Sequence, residues 1–153
     1  MKWRKSDIEK YVQAKEYIDT ALIPLLPFNL ANDEEAKKSS FHSELLTIIV
    51  SEIEKEITGR ILLLPNFYYV KDSDRNAETQ RLQSWTSEAG RQGLENIFYI
   101  TFDSAWKKSE KQLDGNLIWL PAIQSGDIQS KEMEPVIRDQ KSQMVELIRS
   151  YWQ

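Results

Sequence analysis

Four short, almost continuous apolar runs, residues 21–27, 60–65, 97–102 and 116–121, alternate with stretches whose apolar residues recur every three or four positions. This alternation constrains the fold more than any other feature. Runs of this kind suit strands buried on both faces, and a helix between successive strands sets those strands parallel. The run Ile97-Phe98-Tyr99-Ile100-Thr101-Phe102 is the clearest strand, being rich in β-branched and aromatic residues. Among the helical stretches, Ile8, Tyr11 and Val12 form one stripe behind Ser6, with Glu9 at capping-box spacing. Leu45, Ile49, Ile53 and Ile57 form a second stripe, with Gly59 as its stop. Leu82, Trp85 and Ala89 precede Gly90, and a short helix over 105–112 precedes the Asp114-Gly115 turn. A last long helix carries Val136, Ile137, Met144, Val145, Ile148 and Trp152, with Pro135 in its first turn. The order α-β-α-β-α-β-α-β-α predicts one α/β domain over residues 1–153. Its expected form is a three-layer α/β/α sandwich, flavodoxin- or Rossmann-like, with a four-stranded, mainly parallel sheet in strand order 2-1-3-4.

Composition removes several classes of function. With 24 Asp and Glu against 20 Lys and Arg the formal charge is −4, which argues against broad nucleic-acid binding. The chain has no cysteine and one histidine, so zinc sites, iron–sulfur clusters, thiol catalysis and Ser-His-Asp catalysis mostly fall away. No cofactor and no metal site is expected. The basic start Met1-Lys2-Trp3-Arg4-Lys5 runs into a polar stretch, unlike a signal peptide. The longest uncharged stretch, 20–32, contains Pro24 and Pro27 and does not suit a transmembrane segment. A cytoplasmic location follows as the expectation.

In open parallel sheets ligands gather at the carboxyl ends of the strands. The rule selects residues 28–29, 66–69, 103–106 and the loop 121–126, with Pro24, Pro65 and Pro121 read as strand terminators. Asp103 follows a buried strand and precedes a helix, where a carboxylate either caps that helix or orients a ribose hydroxyl, a magnesium-bound water or a substrate amine. Trp106 either stacks on a ligand or packs in the core; Asn66 and Tyr68 offer polar groups beyond the second strand. Asn29 lies in the loop 28–32, which has no glycine and so offers no backbone cradle for a pyrophosphate. The candidate ligand-binding set is therefore Asn29, Asn66, Tyr68, Asp103 and Trp106, with no catalytic residue. Residues 72–76 begin like a calcium loop, but Ala77 and Gln83 occupy the required glycine and glutamate positions, leaving helix capping as the better account. His42 lacks a partner for catalysis, and Glu52, Glu54 and Glu56 read as a solvated helix face. Trp3 and Trp152 either clamp the ends of the chain or sit in a partner-binding patch.

The opening Met1-Lys2-Trp3-Arg4-Lys5-Ser6-Asp7-Ile8-Glu9-Lys10-Tyr11, with Gln13 to Pro24 after it, resembles the YpiF family of Bacillus-type bacteria. Gly59-Arg60-Ile61-Leu62-Leu63-Leu64-Pro65 fits the same resemblance, which runs over the whole chain. That family has no assigned function, so no catalytic residue carries over. Its genes tend to neighbour those of the menaquinol–cytochrome c reductase, and the resemblance thus implies a cytosolic accessory role near respiratory or envelope proteins. Two functional readings remain. One is a non-enzymatic interaction or regulatory protein, with an apolar patch at Trp3, Trp152 or the last helix for a protein partner or a second copy. The other is a binder of nucleotide-like or sugar-phosphate ligands, or a cryptic enzyme, with a strand-end cleft into which Asp103 points.

Overall fold

The computed structural model of the chain describes residues 1–121, 123 and 126–152. Its sheet has five parallel strands rather than four: β1 (Thr20–Phe28), β2 (Ile61–Leu63), β3 (Phe67–Val70), β4 (Asn96–Thr101) and β5 (Asn116–Trp119). The path β2-β1-β4-β5 agrees with the expected order once the extra strand is set aside, and β3 pairs β1 on the same side as β2. Residues 67–69, expected in a loop beyond the second strand, are thus part of a strand.

Pro24 does not end its strand, because the ladder has a gap where its missing N–H points. Leu22 accepts from Leu64 N and Phe28 accepts from Lys71 N, so alternate residues of β1 face the β2 and β3 side, Pro24 among them. β2 pairs β1 as far as Leu22 and β3 resumes at Leu25, with the register shifted by one residue between them. Proline is tolerated at such a bulge. Pro65 lies in the interval, whereas Pro121 follows the last strand as expected.

α1 (Lys5–Gln13), α3 (Arg75–Gly90) and the 3₁₀ segment Ser104–Gln112 cover one face; α2 (Asp33–Glu56) and α4 (Met133–Tyr151) cover the other. The alternation along β1 assigns the two cores: Leu22 and Leu26 pack with α2 and α4, Ala21, Ile23 and Leu25 with α3 and the 3₁₀ segment. Each of these leucines and isoleucines is buried, which is worth about 1.5–3 kcal/mol per side chain. No helix among the described residues is long and apolar enough to cross a membrane.

Local signals differ from the sequence reading in three places. α1 starts at Lys5 after Arg4, so Ser6 is no cap; Asp7 instead accepts from Lys2 N at 2.7 Å and pairs with Arg4 at 3.2 Å. α2 is capped by Asn32, whose side chain accepts from Glu35 N, and ends at Glu56, ahead of Gly59. Glu54 is buried, not solvated: it meets the Met1 ammonium at 2.6 Å and accepts from Thr58 Oγ1 at 2.8 Å. Trp152 clamps α4 to the start of β1, donating from Nε1 to Thr20 Oγ1 at 2.8 Å with Arg60 stacked 4.1 Å from its ring centroid.

The turn before β5 needs a glycine for space. A Cβ on Gly115 would sit 2.6 Å from Ile97 O and 2.8 Å from Ile97 Cβ, whereas nothing lies within 4 Å of a Cβ on Gly59. Gly115→Ala is therefore expected to lower unfolding stability by about 1–3 kcal/mol, and Gly59→Ala to leave it unchanged or slightly raised. Urea unfolding of both variants checks the contrast.

Candidate functional site

At the carboxyl end of the sheet a polar network is built around Asp103, the residue after β4 and the phenylalanine that follows it. Asp103 caps the 3₁₀ segment, its Oδ1 accepting from Ala105 N at 3.0 Å. The same oxygen accepts from Lys71 Nζ at 2.9 Å, and Oδ2 accepts from Tyr69 OH at 2.7 Å, with Arg75 Nη2 at 3.6 Å. Trp106 Nε1 donates to Tyr69 OH at 2.8 Å, and the Arg75 guanidinium lies 4.6 Å from the Trp106 ring centroid and 5.0 Å from that of Tyr69. On the chain's other side, Asp103 N donates to Thr101 Oγ1, which itself donates to Leu25 O at 2.9 Å. Through its carboxylate and its backbone N–H together, Asp103 thereby joins β1, β3, β4, α3 and the 3₁₀ segment.

Burial of Asp103 raises its pKa, but the hydrogen bonds from Tyr69, Lys71 and Ala105 N and the Lys71 charge outweigh it, leaving the carboxyl below its usual range. Burial, followed by the neighbouring Asp103 charge, pushes the Tyr69 phenol up, so it stays a donor. Both oxygens of Asp103 are committed, and its side chain is 1% exposed.

A cleft of about 380 Å³ opens beside this network, with Asp103, Ser104, Lys38, His42 and Lys71 among its lining. Its floor is apolar, from Leu25, Leu26, Phe102 and Trp119. His42, half-buried on α2, donates from Nε2 to Ile123 O at 2.8 Å. Burial pushes its pKa down; the bond to Ile123 opposes this, and the Lys38 and Lys71 charges lower it further.

Of the sequence candidates, only Asp103 lines this cleft. Trp106 is fully buried in the core. Asn29 and Tyr68 share a separate hollow of about 220 Å³ above the N-terminal half of α2, where Asn29 Oδ1 accepts from Ala31 N and Tyr68 OH meets Ser43 Oγ at 3.0 Å. Asn66 reaches toward Thr47 and Tyr68 at the sheet edge. Of the loop 121–126, residues 122, 124 and 125 lie outside the described residues. Lys38, Lys71 and Arg75 were not legible as site residues. The one available signal was charge: Lys71 directly follows the aromatic β3, and Arg75 opens α3 behind its cap, Asp74.

A larger and different concavity, of about 660 Å³, lies on the other helical layer between α1 and α3. Trp3, Ile8, Tyr11, Leu62 and Trp85 wall it, and Trp3 is 61% exposed.

Fold and sites together define a parallel three-layer α/β protein with a cation-walled strand-end cleft, an apolar groove on one helical layer and no glycine-rich phosphate loop in the turn after β1. The chain belongs to the family described as proteins of unknown function, DUF2487, whose model matches residues 9–152. It is 27% identical to the uncharacterized protein YpiF of Bacillus subtilis (strain 168), over 99% of this chain and 98% of that one, in accord with the resemblance carried by its opening segment. No solved structure matches it.

The depressed pKa of Asp103 has a consequence with a fixed sign. Its contribution to stability is complete above about pH 3.8, the ordinary aspartate value, and is lost as the pH falls through the lower folded-state value. Asp103→Asn is expected to cost about 2–4 kcal/mol at pH 7, somewhat under the penalty for breaking a fully buried pair because Lys71 is partly solvated. Urea unfolding at neutral pH and below pH 3.8 should show the gap from wild type closing in acid.

Proposed function

We propose that the protein is a cytoplasmic, non-enzymatic accessory protein that holds the apolar face of a partner protein's helix in the groove between α1 and α3. The observation that carries this reading is Trp3, a large aromatic left 61% exposed on the wall of an apolar concavity of about 660 Å³. Tryptophan anchors of this kind are enriched at binding hot spots. The charged residues lining the groove are Lys15 and Glu88, one of each sign, which suits an uncharged occupant over an anion or a basic segment. Two helices with a strand edge between them offer the shape into which an amphipathic helix fits by anchors at helical spacing. Lys15 Nζ donates to Gln92 Oε1 at 2.8 Å, bridging the segments that follow α1 and α3.

The test is site-specific photocrosslinking in the native cells. A benzoylphenylalanine at Val12, exposed on the groove, is compared with one at Glu146, exposed on α4 across the sheet. Val12 should give one discrete adduct with another protein, removed by Trp3→Asp. A synthetic helix from the crosslinked segment should then bind the wild type and lose about tenfold or more in affinity to Trp3→Asp. No adduct above the Glu146 level, or an adduct with a second copy of the chain, would overturn the reading.

A further inference from the structure

The strand-end cleft opens at the carboxyl end of the sheet, lined from α2 as well as from the start of the 3₁₀ segment, and differs in character from the groove. Two lysines and the donor-saturated carboxylate of Asp103 line it. Asp103 is satisfied by Tyr69, Lys71 and Ala105 N, with Arg75 close behind. The cations around it thus outnumber the one carboxylate, in a chain whose formal charge is −4. Lys38 is exposed on the rim and makes no ion pair among the described residues, although its neighbour Lys37 pairs with Glu34 at 3.5 Å. Lys107 adds a further cation beside the cleft, 3.6 Å from the ring centroid of Trp119.

The apolar floor sets the rest of the chemistry. Leu25, Leu26, Phe102, Trp119 and Pro121 face a space of about 380 Å³, within the range of pockets for small organic molecules. That volume, and a loop after β1 without glycine, do not suit a dinucleotide. Leu25, Leu26 and Phe102 are already buried, so the apolar surface left for a guest is at Trp119 and Pro121, while a wholly apolar guest would strip water from the ammonium groups without replacing it.

We propose that the cleft binds a small organic anion, an apolar body ending in one phosphate or carboxylate group, with the anionic end held between Lys38 and Lys71 beside the Ser104 hydroxyl. The body lies on Trp119 and Pro121. The site is independent of the α1–α3 groove, since the two share no lining residue.

The experiment is an amide chemical-shift titration of the isotope-labelled protein with phenyl phosphate, with benzoate and with uncharged benzyl alcohol. One or both anions should move the amides of His42, Lys71 and Ser104 while benzyl alcohol does not, and the tighter of the two identifies the headgroup. Lys38 is exposed and lies outside the Asp103 network, so its variants keep the fold. Lys38→Glu should weaken the binding anion by about tenfold or more, and Lys38→Arg should retain it. The proposal is overturned if neither anion moves these amides at roughly ten millimolar, well above a millimolar dissociation constant. It is equally overturned if benzyl alcohol binds as well as the anions, or if Lys38→Glu binds them like the wild type.

Discussion

β1 lends its backbone to three other strands, and the rest of the molecule is arranged around that obligation. A strand paired on both edges and covered on both faces must be apolar throughout and must have nearly every backbone group bonded. Thr20–Phe28 meets the first demand with a near-continuous run of Leu, Ile and Ala. It meets the second in spite of Pro24, because the edge rank beside it breaks and shifts register where the proline offers no N–H. The break in turn produces β3 as a separate strand. Its inward residues, Phe67 and Tyr69, turn toward α3, while Tyr68 and Val70 stay exposed.

Asp103 ties the far end of this arrangement together. A buried carboxylate costs several kcal/mol to desolvate and is tolerated where charge and hydrogen bonds compensate it. Tyr69, Lys71, Arg75 and Ala105 N provide that compensation from β3, the turn after it, α3 and the 3₁₀ segment. The same network leaves the Lys71 ammonium at the mouth of the sheet, where α2 adds Lys38. The apolar groove answers to a different constraint. α1 is short and covers only part of the sheet edge, and Trp3 before it has no core to enter.

Much of this was legible in the sequence. Apolar runs at four places and helical periods between them fixed the layers, and the position of Asp103 between a buried strand and a polar helix start marked its capping role. The continuation of β1 through Pro24 was not legible, because proline ends most central strands and only the register of a partner some 40 residues away shows which edge its nitrogen faces. Phe67-Tyr68-Tyr69-Val70 carried an alternating strand signal, but four residues just beyond Pro65-Asn66 also read as a loop. The cleft cations escaped for a related reason. Lys38, Lys71 and Asp103 lie on three elements, and local periodicity carries no information about contacts at that separation. Glu54 was misread as solvated because its partner is the Met1 ammonium, far away in the chain.

β3 belongs to the sheet, held to β1 by its ladder and to Asp103 by Tyr69 and Lys71. Native-state amide hydrogen exchange tests this most directly, since protection reports the free energy of the opening that exposes each amide. Amides bonded to β1 along β3 and just after it, such as Lys71 N on Phe28 O, should share the slow, global exchange of β4, and Asp103→Asn should speed exchange in β3 selectively. Rapid exchange of β3 in the wild type, with β4 still protected, would contradict it: β3 would then be an edge segment that opens alone, and Asp103 a helix cap only.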